Sequence, residues 1–528
     1  MRMMRKWTIV AWLLGAVVTG AAIAADWPQW GGSDCRNLVS SEKNLPATFD
    51  PDKGRSGTGG NVKWVRKTGN ATYGNPTVAD GRVYVGTDDA SLSDDDRLKR
   101  TRGGMVQCFD ETTGKPLWKL VIPKRTGLPK EIHYGHQHLG TCSSPTVQGD
   151  SVYVVTGAAE VLCLDARGLA NGNDGPYQDE SQYIAGRGKP IKLAPTDGDI
   201  VWRFDLIDQA GSRPHDVASC SVVLHGDYLY TSTSNGVDGP HKKVVAPDAP
   251  AMIVLDKRTG RYVARETEGI SSRLWHAQWC SPSVGDVGGK ALVFLGGGDG
   301  ILYAFEALTG KPAGSGAPAA LKTVWRYDCN PQNYRYRKGK EIPYYEGDKR
   351  KKWSTNKHDG KFIGPSQIIG TPVLYKNRIY VAIGQDPMHG RGKGMLHCVD
   401  PTKKGDITKS GCIWTYDGLD RSMATVSIAG GLLYISDVAG QLHCLDADTG
   451  KLKWVYETDT ETWGGALLAD GKAYLCTKKY LYIFAQGPKI KLLGKVRLGS
   501  SIYSTPIAAN GVLYVASQRE LWAVSAKP

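Results

Sequence analysis

One phrase recurs eight times along the chain: a turn residue, most often glycine, followed by a β-run with an aromatic at its centre. The aromatics are Tyr84, Tyr153, Tyr230, Phe294, Tyr380, Tyr434, Tyr474 and Tyr514, and the last three stand 40 residues apart. A period of that length belongs to propellers and solenoids, in which each unit is a small sheet that cannot bury both apolar faces alone. The longer early intervals are the same unit plus loop insertions.

Each unit reads as four strands. The first often begins with proline after a small residue, as at Asn75-Pro76, Ser144-Pro145, Ser281-Pro282, Thr371-Pro372 and Thr505-Pro506. Proline cannot donate to a ladder, so it suits the free edge that an innermost strand offers to a central channel. The second strand is the aromatic-centred run, apolar on both faces as a doubly buried strand must be. The third ends on an acid that opens a tight turn, from Asp110 to Gly114, Asp256 to Gly260, Glu306 to Gly310 and Asp446 to Gly450. There the carboxylate accepts turn amides and glycine takes a positive φ, which makes these acids structural. One third-strand position holds Cys108, Cys163, Cys398 and Cys444 where other units have Ala304 or Ala523, so these cysteines read as small buried apolar side chains.

The outermost strand carries tryptophan, at Trp118, Trp202, Trp325, Trp414 and Trp454. A matching Trp64 precedes the first complete unit, and the last unit lacks an outer strand of its own. The prediction is an all-β fold: one eight-bladed β-propeller of four-stranded antiparallel blades over 61–528, closed by an N-terminal strand at Asn61–Val65. Closure removes the open ends that a linear stack of sheets would expose.

Small residue-Pro, Gly-x-x-Tyr-Val, Gly-x-Leu-x-Ala/Cys-Leu-Asp and Thr-Gly-Lys-x-x-Trp together resemble the pyrroloquinoline-quinone-like (PQQ-like) repeat. That repeat is found in quinoprotein alcohol dehydrogenases and in the propeller component of the outer-membrane protein assembly machine. The resemblance runs from Asn61 to the C-terminus and implies the fold, while the two groups imply different activities. A dehydrogenase of this class implies PQQ over the channel, calcium beside it, a general base and, in many members, a disulfide between adjacent cysteines. The chain has no Cys-Cys pair and no Cys-x-x-Cys-His haem motif. The assembly propeller implies partner binding at blade-connecting loops. PQQ and calcium are therefore cofactors implied by resemblance alone. The reading adopted is a scaffold that binds a ligand or a protein, with PQQ-dependent alcohol or sugar oxidation as the alternative.

Insertions at 88–104, 122–139, 169–199, 236–250 and 326–366 decorate the first five units, so a functional surface is expected on that side. A histidine stands shortly before a cysteine where three consecutive units enter their innermost strands: His138 and Cys142, His215 and Cys220, His276 and Cys280. His133 and His136 lie just upstream of the first pair, and Trp279 lies inside the third. All three pairs could converge at one channel mouth, where imidazole and thiolate would suit zinc or copper. Equally, inner-strand cysteines can fill small spaces and loop histidines can bond to backbone. Asp216, beside His215, is the one candidate base.

Between Arg326 and Lys361 eleven Lys or Arg stand against five Asp or Glu. Arg335, Arg337, Lys338, Lys349, Arg350, Lys351 and Lys352 interleave there with Tyr334, Tyr336, Tyr344 and Tyr345, a composition for an acidic polysaccharide or phosphate-rich surface, or for a solvated loop. The acidic stretches Asp88–Asp96 and Asn171–Asp174 lack calcium-loop spacing.

Arg2, Arg5 and Lys6, the apolar run Trp7–Val18 and the small residues Ala22 and Ala24 read as a cleaved signal peptide. The domain plan is thus 1–24 signal, 25–60 N-terminal extension and 61–528 propeller, with its largest insertion at 326–366. The first cysteine is Cys35, so no lipid-anchor cysteine sits at the cleavage point. The expectation is a periplasmic or secreted soluble monomer, at most peripheral to a membrane. A net charge of +14 favours anionic partners, but export sets nucleic acid aside and leaves a protein, a small molecule or a polysaccharide. Eleven cysteines, an odd number, leave at least one thiol unpaired within the monomer.

Overall fold

In six of the eight blades a row of an aromatic, a small residue and a tryptophan crosses three strands and decides how the sheet packs, blades 3 and 7 having Tyr230, Val254, Ala264 and Tyr474, Ile483, Gly494 instead. In the first blade Tyr84 pairs with Cys108, which pairs in turn with Trp118. The same row is Tyr153, Cys163, Trp202 in the second blade and Tyr434, Cys444, Trp454 in the sixth. A small residue between two aromatics lets their rings approach, and the centroids lie 6.0, 6.0 and 5.8 Å apart in these three blades. Such tilted pairs add to the area they bury. The repeated cysteines are therefore spacers, and none of the eleven cysteines forms a disulfide.

The computed structural model describes residues 25–526 except 58, 93–94, 131, 136–137, 313–315, 344, 348, 351–364 and 385–392. Its sheets form eight antiparallel blades, from Thr77–Ala79, Arg82–Asp88, Gly104–Asp110 and Pro116–Ile122 in blade 1 to Ile507–Ala509, Val512–Ala516 and Glu520–Val524 in blade 8. The fourth strand of blade 8 is Val62–Lys67, which pairs antiparallel with Glu520–Val524 and so closes the ring as the position of Trp64 predicts. Ala523 opposes Trp64, and Trp64 lies 5.9 Å from Tyr514, so the closing blade repeats the row of blades 1, 2 and 6. Blades 3 and 4 depart from four strands. Ala319–Ala320 and Gly405–Asp406 add parallel to their outer edges, and the second of these pairs blade 4 with a segment between the third and fourth strands of blade 5. Among the described residues no helix is long and apolar enough to cross a membrane.

Neighbouring blades are joined by the same tryptophans. Trp64 Nε1 donates to the Glu111 carbonyl of blade 1 (2.9 Å), Trp118 to Ala166 of blade 2 (2.9 Å) and Trp202 to Lys257 of blade 3 (3.1 Å). Trp325 reaches Pro401 (2.9 Å) and Trp454 reaches Gly487 (3.1 Å) in the same way. The indole also lies on the turn glycine of the next blade: a Cβ at Gly114 would meet the Trp64 ring at 2.5 Å, and one at Gly260 would meet Trp202 at 2.5 Å. The turn acid fixes that glycine, since Asp110 Oδ1 accepts from the Thr113 amide (2.8 Å) and hydroxyl (2.6 Å). Hydrogen bonds from Thr113 hold its pKa below the ordinary value, as expected of a structural carboxylate.

This predicts unequal costs for two alanines that replace glycines of similar φ. Gly114 has φ +67 and faces the indole, whereas Gly149 has φ +57 with nothing within 4 Å of an added Cβ. Gly149→Ala is expected to cost about 1 kcal/mol from backbone strain alone. Gly114→Ala should cost about 3 kcal/mol because overpacking against Trp64 adds to that strain. Denaturant unfolding checks this, and equal losses would show that the indole does not need the glycine.

A second inter-blade contact pairs an outer-strand tyrosine with a third-strand histidine. The Tyr327 hydroxyl lies 3.2 Å from His397 Nδ1, and the Tyr416 hydroxyl lies 3.1 Å from His443 Nδ1. His397 is 3% exposed, and burial pushes its pKa down from 6.5 to about 4. Because the folded imidazole resists protonation, the unfolded chain binds the proton first. Its contribution is whole above the unfolded value of 6.5 and is lost as the pH falls toward 4, by about 3 kcal/mol in all. His397→Gln should flatten stability across that acid window in unfolding titrations at successive pH values. An unchanged slope would assign the acid sensitivity to other groups.

Candidate functional site at the channel mouth

The innermost strands leave a central channel, and the small-residue-Pro motif has its reason there. The Asn75 amide donates to Ser144 Oγ (3.1 Å), Ser144 to Ser221 (2.9 Å) and Ser221 to Ser281 (2.9 Å). Further round, Thr371 donates to Thr425 (3.0 Å), Gly465 to Thr505 (3.1 Å) and Thr505 to Asn75 Oδ1 (2.5 Å). A collar of short hydroxyl and amide side chains thus links blade to blade around the channel, satisfying backbone groups that a proline-started edge would leave open.

One end of the channel is closed by the extension, a role its sequence did not announce. Trp27 bridges to Val78 of blade 1, and Pro28 accepts from Val147 of blade 2. Asp34 accepts from Val284 of blade 4, Asn37 both donates to and accepts from Ile428 of blade 6, and Ser40 bonds to Leu468 of blade 7 and Ala508 of blade 8. At its centre Arg36, fully buried, donates to Val222 O (2.7 Å), Pro282 O (3.3 Å), Gln29 Oε1 (2.9 Å) and the Trp30 carbonyl. Burial pulls its pKa down to about 10, with Asp34 opposing the shift. Trp30 turns its indole toward Thr371 of blade 5 (2.9 Å) and forms part of the channel floor. Arg36→Met should cost about 3 kcal/mol by stranding those acceptors, and Arg36→Lys should not restore it, because an ammonium cannot reproduce the planar fork. Urea unfolding of both variants tests this; a fully stable Lys variant would contradict it.

On the other side of the collar a cavity of about 320 Å³ opens. Aromatics from several blades line it: Trp30 below, Trp279 on one wall, Tyr73 and Trp463 on another. Tyr73 stacks on Trp463 (5.9 Å) and on Tyr503 (5.4 Å), so blades 1, 7 and 8 share one aromatic platform. Collar hydroxyls and Asn75 supply polar atoms. Asp216 is the one charged residue of the described lining.

The candidate histidines gather at this mouth. His215 and His276 are 1% and 3% exposed, with ring centroids 4.4 Å apart. His215 Nδ1 lies 2.7 Å from the Val237 carbonyl, which fixes that nitrogen as the donor. His133 lies 4.8 Å from His215, and its Nε2 is 3.2 Å from Asp216 Oδ1. Trp279 packs edge-on to His276 at 4.7 Å and donates to the Val217 carbonyl. A further histidine, His241, completes the group at 4.9 Å from His215 and 4.5 Å from His276. It comes from the 236–250 insertion and pairs with no cysteine, so the spacing that revealed the others was silent about it.

The rest of the set falls elsewhere. His138 sits beside Lys124, Arg125 and Arg102, and desolvation followed by the charges of Lys124 and Arg102 lowers its pKa. His136 lies outside the described residues. The cysteines do not join the imidazoles and lie instead as small side chains against backbone, the second of the two readings their spacing offers. Cys142 lines the cavity and donates to Leu139 O (3.4 Å), Cys220 lies by Gln278 O (3.6 Å), and Cys280 lies by Gly370 O (3.4 Å). Neither group of clustered ligand atoms includes a sulfur. Burial pushes the Cys220 thiol up to about 12, so it stays protonated and packs as a small apolar group.

The basic insertion is partly absorbed into the fold. Arg335 is no surface cation: it pairs with Asp328 (2.8 Å) and lies 5.9 Å over the Trp275 ring. Tyr345 packs on Trp275 at 5.3 Å and donates to the Leu274 carbonyl, which docks the insertion beside His276. Lys338 and Lys349 are exposed, whereas Lys351, Lys352, Tyr344 and the side chains of Arg337 and Arg350 lie outside the description. Of the acidic stretch, Asp88 caps the Asn70 and Ala71 amides and Asp95 pairs with Arg97 (2.7 Å), both structural uses.

A family model described as outer membrane protein assembly factor BamB matches residues 102–170 and 392–487. Quinohemoprotein alcohol dehydrogenase ADH IIB of Pseudomonas putida is 23% identical over 491 residues, covering 89% of this chain. The chain spans 60% of that relative's length. Among solved structures, BamB from Moraxella catarrhalis aligns at a TM-score of 0.50 with 14% identity, covering 88% of this chain and 97% of its own. Quinohemoprotein alcohol dehydrogenase from Comamonas testosteroni aligns at 0.46 with 12% identity, over 95% and 80% of the two chains.

Proposed function

We propose that this propeller, similar to BamB and to quinohemoprotein alcohol dehydrogenase, is an exported ligand-binding protein whose plugged channel holds a small uncharged saccharide unit. The observation that carries this reading is the lining. Aromatic faces at Trp30, Trp279, Tyr73 and Trp463 alternate with hydroxyls and a single carboxylate, and no Lys or Arg lines the cavity among the described residues. Ring faces on aromatics with hydroxyls at their rims suit a sugar, whose C–H faces are apolar and whose edges hydrogen-bond. A blind cavity of about 320 Å³ falls in the range of small-molecule pockets. Export rests on the signal-like segment at 1–24.

The quinone-dependent alternative fits this lining poorly. PQQ carries several carboxylates, and burying them calls for cations that the described walls do not supply. Calcium prefers six to eight oxygen ligands, whereas Asp216 is the sole carboxylate there. The chain also lacks the adjacent cysteines that the resemblance implies.

Calorimetry with neutral mono- and oligosaccharides tests the proposal. At least one should bind, and Tyr73→Ala and Trp463→Ala should each weaken it about tenfold without lowering the melting temperature appreciably. Added PQQ with calcium should neither bind nor support dye-linked alcohol oxidation. Saccharide binding that ignores both aromatic substitutions, or stoichiometric PQQ binding, would overturn the reading.

A further inference from the structure

We propose that His215, His241 and His276 form a site for a divalent first-row transition ion, zinc being the representative case, with Asp216 as the carboxylate beside it. The three imidazoles make a near-equilateral triangle with centroid separations of 4.4, 4.5 and 4.9 Å. One ring nitrogen from each lies within 4.8 Å of the others. Ligands at zinc distances around a tetrahedral ion stand about 3.3 Å apart, so modest ring rotations bring them to bonding positions. The rings are tilted by 63°, 49° and 68° to one another, which lets nitrogens converge where parallel stacking would present faces.

The surrounding backbone holds this triangle. His215 and Asp216 precede blade 3, His276 precedes blade 4, and His241 rises from the loop between the second and third strands of blade 3. The His215 amide donates to Ser234 O (3.2 Å), the Val237 amide to His276 O (2.9 Å), and Gly236 bridges to Ala277. Gly236 is needed for that closeness, since a Cβ there would lie 2.6 Å from His215 Cβ and 2.9 Å from His276 O. Three residues of this rim, Asp216, Ser234 and His241, take left-handed φ of 58, 57 and 56, a local strain typical of functional sites. His215 donates Nδ1–H to Val237 O, the outer hydrogen bond that orients a metal-bound imidazole through Nε2.

The donor chemistry selects the ion. Three neutral nitrogens suit zinc, copper, nickel or cobalt, and they do not suit calcium or magnesium, which take oxygen. Three protein ligands leave a fourth position, as zinc sites that engage an exogenous ligand do. Asp216 Oδ1 lies 3.8 Å from His215 Nε2, and Asp216 also lines the channel cavity, so the proposed site adjoins that cavity. This inference stands apart from the saccharide reading, because ion binding is read without any sugar.

The test is zinc and cobalt titration of the full chain after chelator treatment and buffer exchange. The expected result is one equivalent bound at micromolar concentrations or tighter. His241→Ala and His276→Gln should each weaken it about a hundredfold, since removing a ligand exceeds the cost of disturbing an outer-shell group. Cys220→Ser should bind as the parent does, and the cobalt form should show ligand-field bands without thiolate-to-metal charge transfer. His241 sits in a surface loop, so its variant should keep the parent circular dichroism and melting temperature. Sub-stoichiometric binding by the folded parent, or binding unchanged in folded His241→Ala, would overturn the proposal.

Discussion

The ring rests on one contact made repeatedly: an indole at the rim of one blade donating to a turn carbonyl of the next while lying on that turn's glycine. The turn glycine serves both partners, taking the positive φ the turn needs and leaving the ring the space that a Cβ at Gly114 or Gly260 would fill at 2.5 Å. Within the blade the same indole lies opposite a cysteine or alanine whose smallness brings the tyrosine of the next strand near. Sequence periodicity, strand register and blade–blade packing are therefore one constraint expressed at three scales, and consistency of that kind is what gives a chain a single fold.

Its periodicity is why the fold was legible. The central aromatics recur eight times, the small third-strand residues and the outer tryptophans six times each and the acid-to-glycine turns four times, and Trp64 stranded ahead of the first unit pointed to the closing strand found at Val62–Lys67. The plug was not legible, because residues 25–48 follow no repeat and their bonds go to backbone carbonyls and amides of distant blades. Such contacts leave little trace in residue type beyond a lone arginine. The fifth strands of blades 3 and 4 escaped for the same reason, being two-residue parallel additions.

The site was legible in half. Repeating His-before-Cys phrases located the mouth and brought out His215, His276, Asp216 and Trp279. They also suggested thiolate ligands, yet Cys220 and Cys280 point into the seams between blades, where the repeat needs small side chains. His241 lies in an insertion, and insertions have no partner unit with which to be compared. A rigid ring with variable loops thus shows its scaffold in the sequence and keeps its function in the segments that break the pattern.

The closing strand has a consequence for how such a chain is built. Val62–Lys67 finds its partner only at Glu520–Val524, and the plug touches the innermost strands of blades 6, 7 and 8 as well as those of the first blades. The segment synthesised early must therefore wait, with Trp27, Leu38 and Phe49 still unburied, until the final blade has been made. During that interval its apolar residues are available to any helper that prevents premature association.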